Sequence, residues 1–205
     1  MYDDTDLHWV YSAGWTPYAT AGPYDDTIHY TTTQNATASF TFQSAAPAAF
    51  VIYYAKYTNR GAFQILVDSN PIPLATIDPN NTTRTWQNTY TSPLYSDGLP
   101  HMVTIKNIST GGKEVDIDAI QIAAPAGSGF HEDNSTKWIY SGSWTLYETT
   151  GPHGGNLHYT TTANTTASLT FQSPATFTFF YARNTNRGTF EIWVDGNMLT
   201  SINAY

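Results

Sequence analysis

Seventeen residues, Ile28 to Ser44 (IHYTTTQNATASFTFQS), occur again as Leu157 to Ser173 (LHYTTTANTTASLTFQS). Whatever the chain folds into must therefore form twice, so it is read first as a duplication. Trp9 and Trp138, Trp15 and Trp144, Gly22-Pro23 and Gly151-Pro152, and His29 and His158 are each 129 residues apart. Past a two-residue deletion near Pro174 the offset is 127, which aligns Tyr54 with Tyr181, Asn59-Arg60-Gly61 with Asn186-Arg187-Gly188, and Val67-Asp68 with Val194-Asp195. The expected organisation is a complete repeat over residues 1–124, a linker of small residues and Pro over 125–130, and a second repeat over 131–205 that stops short of the last strands. A repeat of about 125 residues is large enough to bury a core unaided.

Within the repeat the period is two. Ala38, Phe40 and Phe42 alternate with Ser39, Thr41 and Gln43, as do Phe63, Ile65 and Val67 with their neighbours, the pattern of strands with one buried face. Residues 49–57 are apolar on both phases, as expected of a central strand covered on both sides. Further strands are expected at His8–Tyr11, Ile28–Thr33, Trp86–Thr91, Met102–Ile108 and Val115–Ile122, with residues 71–79 irregular. In the last of these, Val115 and Ile117 are followed by Ile120 and Ile122, so the alternation slips by one near Asp118 and predicts a β-bulge. No segment keeps helical periodicity over two turns, and turn signals separate the strands. The fold class is all-β: two tandem antiparallel β-sandwich (jelly-roll) modules, the second incomplete.

The motifs YDDTD..W.YS.GW, GP....HYT, NATASFTF, NRG...I.VD, WQNTYTS and VDIDAIQI resemble the galactose-binding-like β-sandwich repeats of large bacterial surface and secreted proteins, which are related in pattern to some carbohydrate-binding modules. The resemblance covers nearly all of the first copy and the first two thirds of the second. It implies an extracellular, non-catalytic module, sometimes with a structural calcium between the first and last strands. The fold hosts glycan binding, adhesion and structural spacing alike, so function must come from a site.

Charge and composition narrow the partners. A net charge of −8 with only eight Lys and Arg, none in a run, excludes a phosphate-backbone partner, so nucleic acid is not expected. No apolar stretch is long enough for a helical membrane span. Cysteine is absent, which removes disulfides, thiolate metal sites and thiol nucleophiles. Six Asn-x-Ser/Thr sequences, at Asn35, Asn80, Asn81, Asn107, Asn134 and Asn164, are candidate glycosylation sites and point to an extracellular or cell-surface location. Met1 is followed by neither a charged n-region nor an apolar h-region, so a secretion signal is expected outside these residues.

Four sets of residues are candidates for chemistry. Asp3, Asp4 and Asp6 with Asp116 and Asp118 supply the oxygen-rich shell that a hard cation such as Ca²⁺ needs, if the first and last strands adjoin; solvated carboxylates at strand ends are the alternative. Trp15, Tyr18, Tyr24 and Tyr57 are candidates for a sugar-stacking platform, with core packing the competing reading for Trp15. Arg60, like Arg187, either binds a ligand carboxylate or ties a turn. His29 and His158 hold equivalent positions but lack any flanking Gly-x-Ser-x-Gly or His-Glu-x-x-His, so they are expected to pack on a sheet face rather than catalyse.

The second copy has no counterpart of Trp86 to Ile122, and a sandwich without those strands exposes core and unpaired edges. Three explanations stand open: a longer chain, strands supplied by a neighbouring subunit, or an intramolecular pairing. Strand supply by a neighbour predicts head-to-tail association into a filament, since a heterologous contact that does not close propagates. The expected function is therefore a non-catalytic extracellular structural repeat, a subunit of a surface appendage. The alternative is a pair of carbohydrate-binding modules belonging to a larger secreted protein or enzyme.

Overall fold

The alternating runs of copy one form strands in a computed structural model that describes residues 1–127, 129–172 and 175–205. In chain order they are β1 (Tyr2–Asp3), β2 (Trp9–Tyr11), β3 (Trp15–Ala19), β4 (Thr27–Thr31), β5 (Thr37–Phe42), β6 (Ala49–Lys56), β7 (Phe63–Val67), β8 (Ala75–Ile77), β9 (Thr85–Thr91), β10 (His101–Asn107), β11 (Val115–Ile117) and β12 (Ala119–Ala123). No α-helix occurs among the described residues, and none is long and apolar enough to cross a membrane.

Two sheets face each other. One has the order β2-β5-β10-β7-β8 and the other β1-β12-β6-β9, every pair antiparallel, while β11-β4-β3 forms a third, smaller sheet. The apolar phase of β5 meets Phe50, Ile52 and Tyr54 of β6, and Phe63, Ile65, Val103, Ile105, Ile117 and Ile120 close the same core. Full burial of an aliphatic or Phe side chain stabilises by about 1.5–3 kcal/mol, so this cluster is the main source of stability. The other phase of β6 is buried too: Val51 and Tyr53 pack with Ala119 and with Ile139 of the second copy. The double-phase apolar run thus marks a strand covered on both faces.

Two sequence expectations are corrected, and one strand is added. The slip at Asp118 is not a bulge but a change of sheet, since β11 pairs with β4 whereas β12 pairs with β6. A strand that hands over between sheets must turn its side chains, which shifts the alternation as a bulge would. Residues 71–79 include β8, a short edge strand on β7 whose flanking prolines disguise it. Trp15–Ala19 is a strand even though it contains Pro17, which an edge strand tolerates.

Copy two repeats the pairings of the front half only. Its strands are β13 (Trp138–Ser141), β14 (Thr145–Glu148), β15 (Asn156–Tyr159), β16 (Thr166–Leu169), β17 (Thr189–Val194) and β18 (Asn197–Asn203). They pair as β13-β16, β14-β15 and β17-β18, the counterparts of β2-β5, β3-β4 and β7-β8. Asp195 and Gly196, both at positive φ, make the two-residue turn between β17 and β18. Residues 175–184, the counterpart of β6, form no strand.

Candidate functional site

Pairing of β1 with β12 brings the N-terminal acidic turn onto the last strand, so that Asp4 N–H donates to Asp118 O at 3.0 Å. Asp4 is fully buried: its Oδ2 accepts from His29 Nδ1 at 2.6 Å and its Oδ1 from Thr27 Oγ1 at 2.7 Å. Burial raises its pKa, while the bonds from Thr27 and His29 oppose the rise. Asp118 Oδ1 accepts from the backbone N–H of Tyr24 at 2.7 Å. Burial pushes the Asp118 carboxyl up to about 8; the Tyr24 bond opposes this, and the nearby Asp116, Asp4 and Asp3 charges add to it. Asp3 Oδ1 and Asp118 Oδ2 are buried with no hydrogen-bond partner.

The five aspartates do not form one shell. Asp6 turns away to His8, with 2.6 Å between its Oδ1 and Nδ1. Asp116, on β11, is ion-paired to Arg60 and accepts Ala55 N–H at 2.7 Å. Among the described residues, no three His, Asp or Glu side chains are grouped as a metal site requires. What remains of the candidate set is Asp3 and Asp118, each with one orphaned carboxylate oxygen, the donor type a hard cation takes.

Arg60 is 4% exposed and bridges Glu114 and Asp116, while Gly61 N–H donates to Glu114 O at 2.8 Å. It therefore ties the Asn-Arg-Gly turn to β11 and is not free to meet a ligand. Its equivalent in copy two, Arg187, makes no ion pair among the described residues.

The aromatic candidates are dispersed. Trp15 packs on the core beside Tyr11, with ring centroids 5.3 Å apart. Tyr18 is exposed and meets Tyr30 edge-on. Tyr24 lies against the Val51, Tyr53 and Ile139 cluster where the two copies touch. Tyr57 is half-buried and shares a cation with a second ring: the Arg84 guanidinium lies 4.5 Å from its ring centroid and 5.4 Å from that of Trp86. Trp86 in turn rests on Gly22, where a Cβ would collide with the indole. Asn81 N–H donates to Tyr57 O at 3.2 Å, which sets the Asn80-Asn81 loop beside the group. Arg84 and Trp86 were not singled out from sequence. Their signal is the Arg-x-Trp spacing at the entry to β9, which puts both on one face of an extended segment.

His29 and His158 do more than pack. Each Nδ1 meets an aspartate, Asp4 or Asp133, and each ring stacks on a tyrosine, Tyr11 at 4.4 Å and Tyr140 at 4.5 Å. Tyr11 and Tyr140 donate their hydroxyls to the backbone O of Asp4 and Asp133 at 2.7 and 2.6 Å. One ring nitrogen, one carboxylate and one aromatic face thus lock strand to turn in both copies.

The acceptor asparagines divide by burial. Asn35, Asn80, Asn134 and Asn164 are exposed and Asn81 is half-buried. Asn107 is fully buried, donating through Nδ2 to Thr33 O at 3.1 Å and accepting from Ser109 N at 2.8 Å. It is a structural amide, which corrects its place among the glycosylation candidates.

No protein-family model matches the chain, and no curated protein matches it. Among solved structures it is similar to a Paenibacillus xanthan lyase, at 14% identity and a TM-score of 0.47 over 95% of this chain and 21% of that one. It is also similar to a family 35 carbohydrate binding module from an environmental isolate, at 14% identity and a TM-score of 0.46 over 60% of this chain and 91% of that one. A family 35 module from Clostridium thermocellum gives 16% identity and a TM-score of 0.44 over 60% and 97%. The chain spans about a fifth of the length of the xanthan lyase.

Proposed function

We propose that the chain is a non-catalytic, extracellular glycan-binding protein, part of a larger secreted protein, whose ligand meets copy one at Tyr57, Arg84 and Trp86. The observation that carries this is the Arg84 guanidinium lying over two aromatic rings at a loop end, beside the amides of Asn80 and Asn81. Sugar C–H faces pack on aromatic rings, and their hydroxyls need nearby donors and acceptors; this group supplies both. Arg84 further suits a uronate carboxylate, which it can hold with two parallel N–H bonds. Copy two has Asn184 where copy one has Tyr57, so one ligand per chain is expected. Isothermal titration against a β-glucan, a xylan and a uronate-containing polysaccharide, using the wild-type chain and Trp86→Ala, tests this. Binding that survives the substitution would place the ligand elsewhere.

Asp3 and Asp118 are the residues that would hold a structural Ca²⁺, which would neutralise the orphaned oxygens and stabilise the junction of β1 with β12. Adding CaCl₂ to metal-stripped protein should raise Tm, and Asp118→Asn should remove the response. An equal response in the variant would exclude Asp118.

The glycan-binding reading is preferred to a head-to-tail filament because the Tyr57, Arg84 and Trp86 group gives it a place on copy one.

A further inference from the structure

The hairpin that follows Val67 is built differently from its counterpart in copy two, in a way the fold does not require. In copy two β17 and β18 stay paired down to Val194 and Asn197, around a two-residue turn. In copy one the ladder between β7 and β8 stops at Ile65 and Ala75, and nine residues lie between them where copy two has seven between Ile192 and Thr200. The extra length opens the hairpin into a loop. That loop is stiff: Pro71 and Pro73 have fixed φ, Ile72 N–H donates to Asn70 Oδ1 at 3.0 Å, and Leu74 N–H donates to Ile65 O at 2.8 Å. It holds Ile72, 73% exposed, and Leu74 out in solvent. With Val67 and Tyr95 they line a cavity of about 610 Å³, within the size range of ligand pockets.

The polar wall of the cavity is held from beneath. Asp68 Oδ2 lies 2.7 Å from Nδ1 of the buried His101, and Asp68 Oδ1 accepts from Met102 N–H at 2.8 Å. The other ring nitrogen of His101 is 2.9 Å from Asp97 Oδ1, so both nitrogens are spent and the group is a clamp, not a metal site. Tyr95 covers the same imidazole, with centroids 4.4 Å apart. Each Asp68 oxygen keeps a second lone pair, and Asn70, whose Oδ1 serves Ile72, keeps its Nδ2 to donate.

We infer that this cavity is a second saccharide site, for an uncharged sugar, separate from the Tyr57, Arg84 and Trp86 group and independent of it. The Tyr95 ring and the aliphatic side chains take the C–H face of the sugar, and Asp68 and Asn70 take its hydroxyls. Asp68 is the one charged side chain among the described residues on the cavity wall, so an acidic sugar is repelled here, whereas Arg84 suits one at the first site. Tyr95 pairs with Ala48 just before β6, and Tyr57 follows its end, so the length of an eight-residue strand, on the order of 25 Å, lies between the sites. A short oligosaccharide cannot fill both, and the count rises from one ligand at the first site to two per chain.

The test uses the full chain and three probes: neutral trisaccharides of a β-glucan and of a xylan, and a uronate trisaccharide. Hydrogen exchange followed by mass spectrometry reads the amides of residues 66–74. At least one neutral probe should slow their exchange several-fold, and the uronate should not. Ile72→Ser alters an exposed side chain, and Tyr95→Leu keeps an apolar cover on His101 while removing the ring. Each should raise the probe concentration for half-maximal protection at least about fivefold, with unchanged exchange of the β10 amides in the absence of sugar as the check that the variant is folded. Because exchange is read segment by segment, the outcome at 66–74 stands apart from that at the first site, whose own test is the loss of binding with Trp86→Ala. No protection by either neutral probe up to its solubility limit, an unchanged midpoint in either variant, or equal protection by the uronate would each overturn the assignment.

Discussion

His29 Nδ1 lies 2.6 Å from Asp4 Oδ2, and 129 residues further on His158 Nδ1 lies 2.7 Å from Asp133 Oδ2. The pair is made in both copies by residues of the front half of the repeat: a strand residue holding the acidic turn that precedes β2 or β13. Its energetic weight differs between copies because Asp4 is fully buried and Asp133 is not. Removing the imidazole in copy one leaves a buried carboxylate short of a partner, which costs about 1–3 kcal/mol. His29→Ala should therefore lower the unfolding free energy measured in urea by that amount. His158→Ala should lower it by less, because Asp133 keeps access to water that Asp4 lacks. Equal losses would mean that burial does not set the strength of the pair.

Gly22 offers a way to disturb the proposed glycan site without touching a ligand-facing group. Its φ is +118°, a conformation that side-chain-bearing residues rarely adopt, and a Cβ would run into the Trp86 indole. Gly22→Ala should displace Trp86 and weaken polysaccharide binding at least about tenfold, the loss expected when one aromatic contact of about 1.4 kcal/mol is misplaced. Trp86 fluorescence should shift with it. Full affinity together with a shifted spectrum would dissociate Trp86 from binding.

Period-two alternation was enough to find β5, β6, β7 and β10, because each buries one or both faces in a core that any apolar residue of the right phase can fill. It failed at Asp118, where a change of sheet and a bulge leave the same mark on a one-dimensional pattern. The candidate site was less legible for a similar reason. Asp116 and Asp118 are two residues apart and read as one ligand set, yet one faces Arg60 and the other faces Tyr24 N–H. Arg84, Trp86 and Gly22 come together only through the fold: Gly22 is in the turn before β4 and Trp86 on β9. The two readings of Arg60 separate only in the fold, where Glu114 and Asp116 take up its guanidinium.

The acceptor asparagines give a prediction that separates sequence from structure. Asn35 and Asn164 occupy the same exposed turn of the repeat, both at positive φ, 64° and 63°. Asn107 carries the same three-residue signal but is fully buried and uses its amide on Thr33 O. In a host with an N-glycosylation pathway, peptide mass spectrometry should find glycan at Asn35 and Asn164 and none at Asn107. Modification at Asn107 would require that β10 was open when the glycan was added.

His101 supplies the pH dependence. Its ring is 7% exposed, with Nδ1 2.7 Å from Asp68 Oδ2 and Nε2 2.9 Å from Asp97 Oδ1, while Tyr95 and Phe42 cover its faces. The hydrogen bond to Asp68 raises the imidazole pKa above the ordinary 6.5; burial opposes the rise and Asp97 assists it. The folded state therefore holds this proton more tightly than the unfolded chain does. The stabilisation is complete below about pH 6.5 and is lost as pH rises through the folded pKa. Asp118, pushed up to about 8, Asp116, pushed up to about 6, and Asp4, also raised, favour the protonated folded state as well, so the whole protein's slope has several sources of that sign. A difference measurement isolates the histidine. Tm of the wild type minus Tm of His101→Gln should be largest near pH 6 and shrink toward pH 9, because glutamine keeps a donor for Asp68 but cannot take a charge. A difference independent of pH would show that His101 is neutral in the folded protein and that Asp68 and Asp97 accept from it without an ion pair.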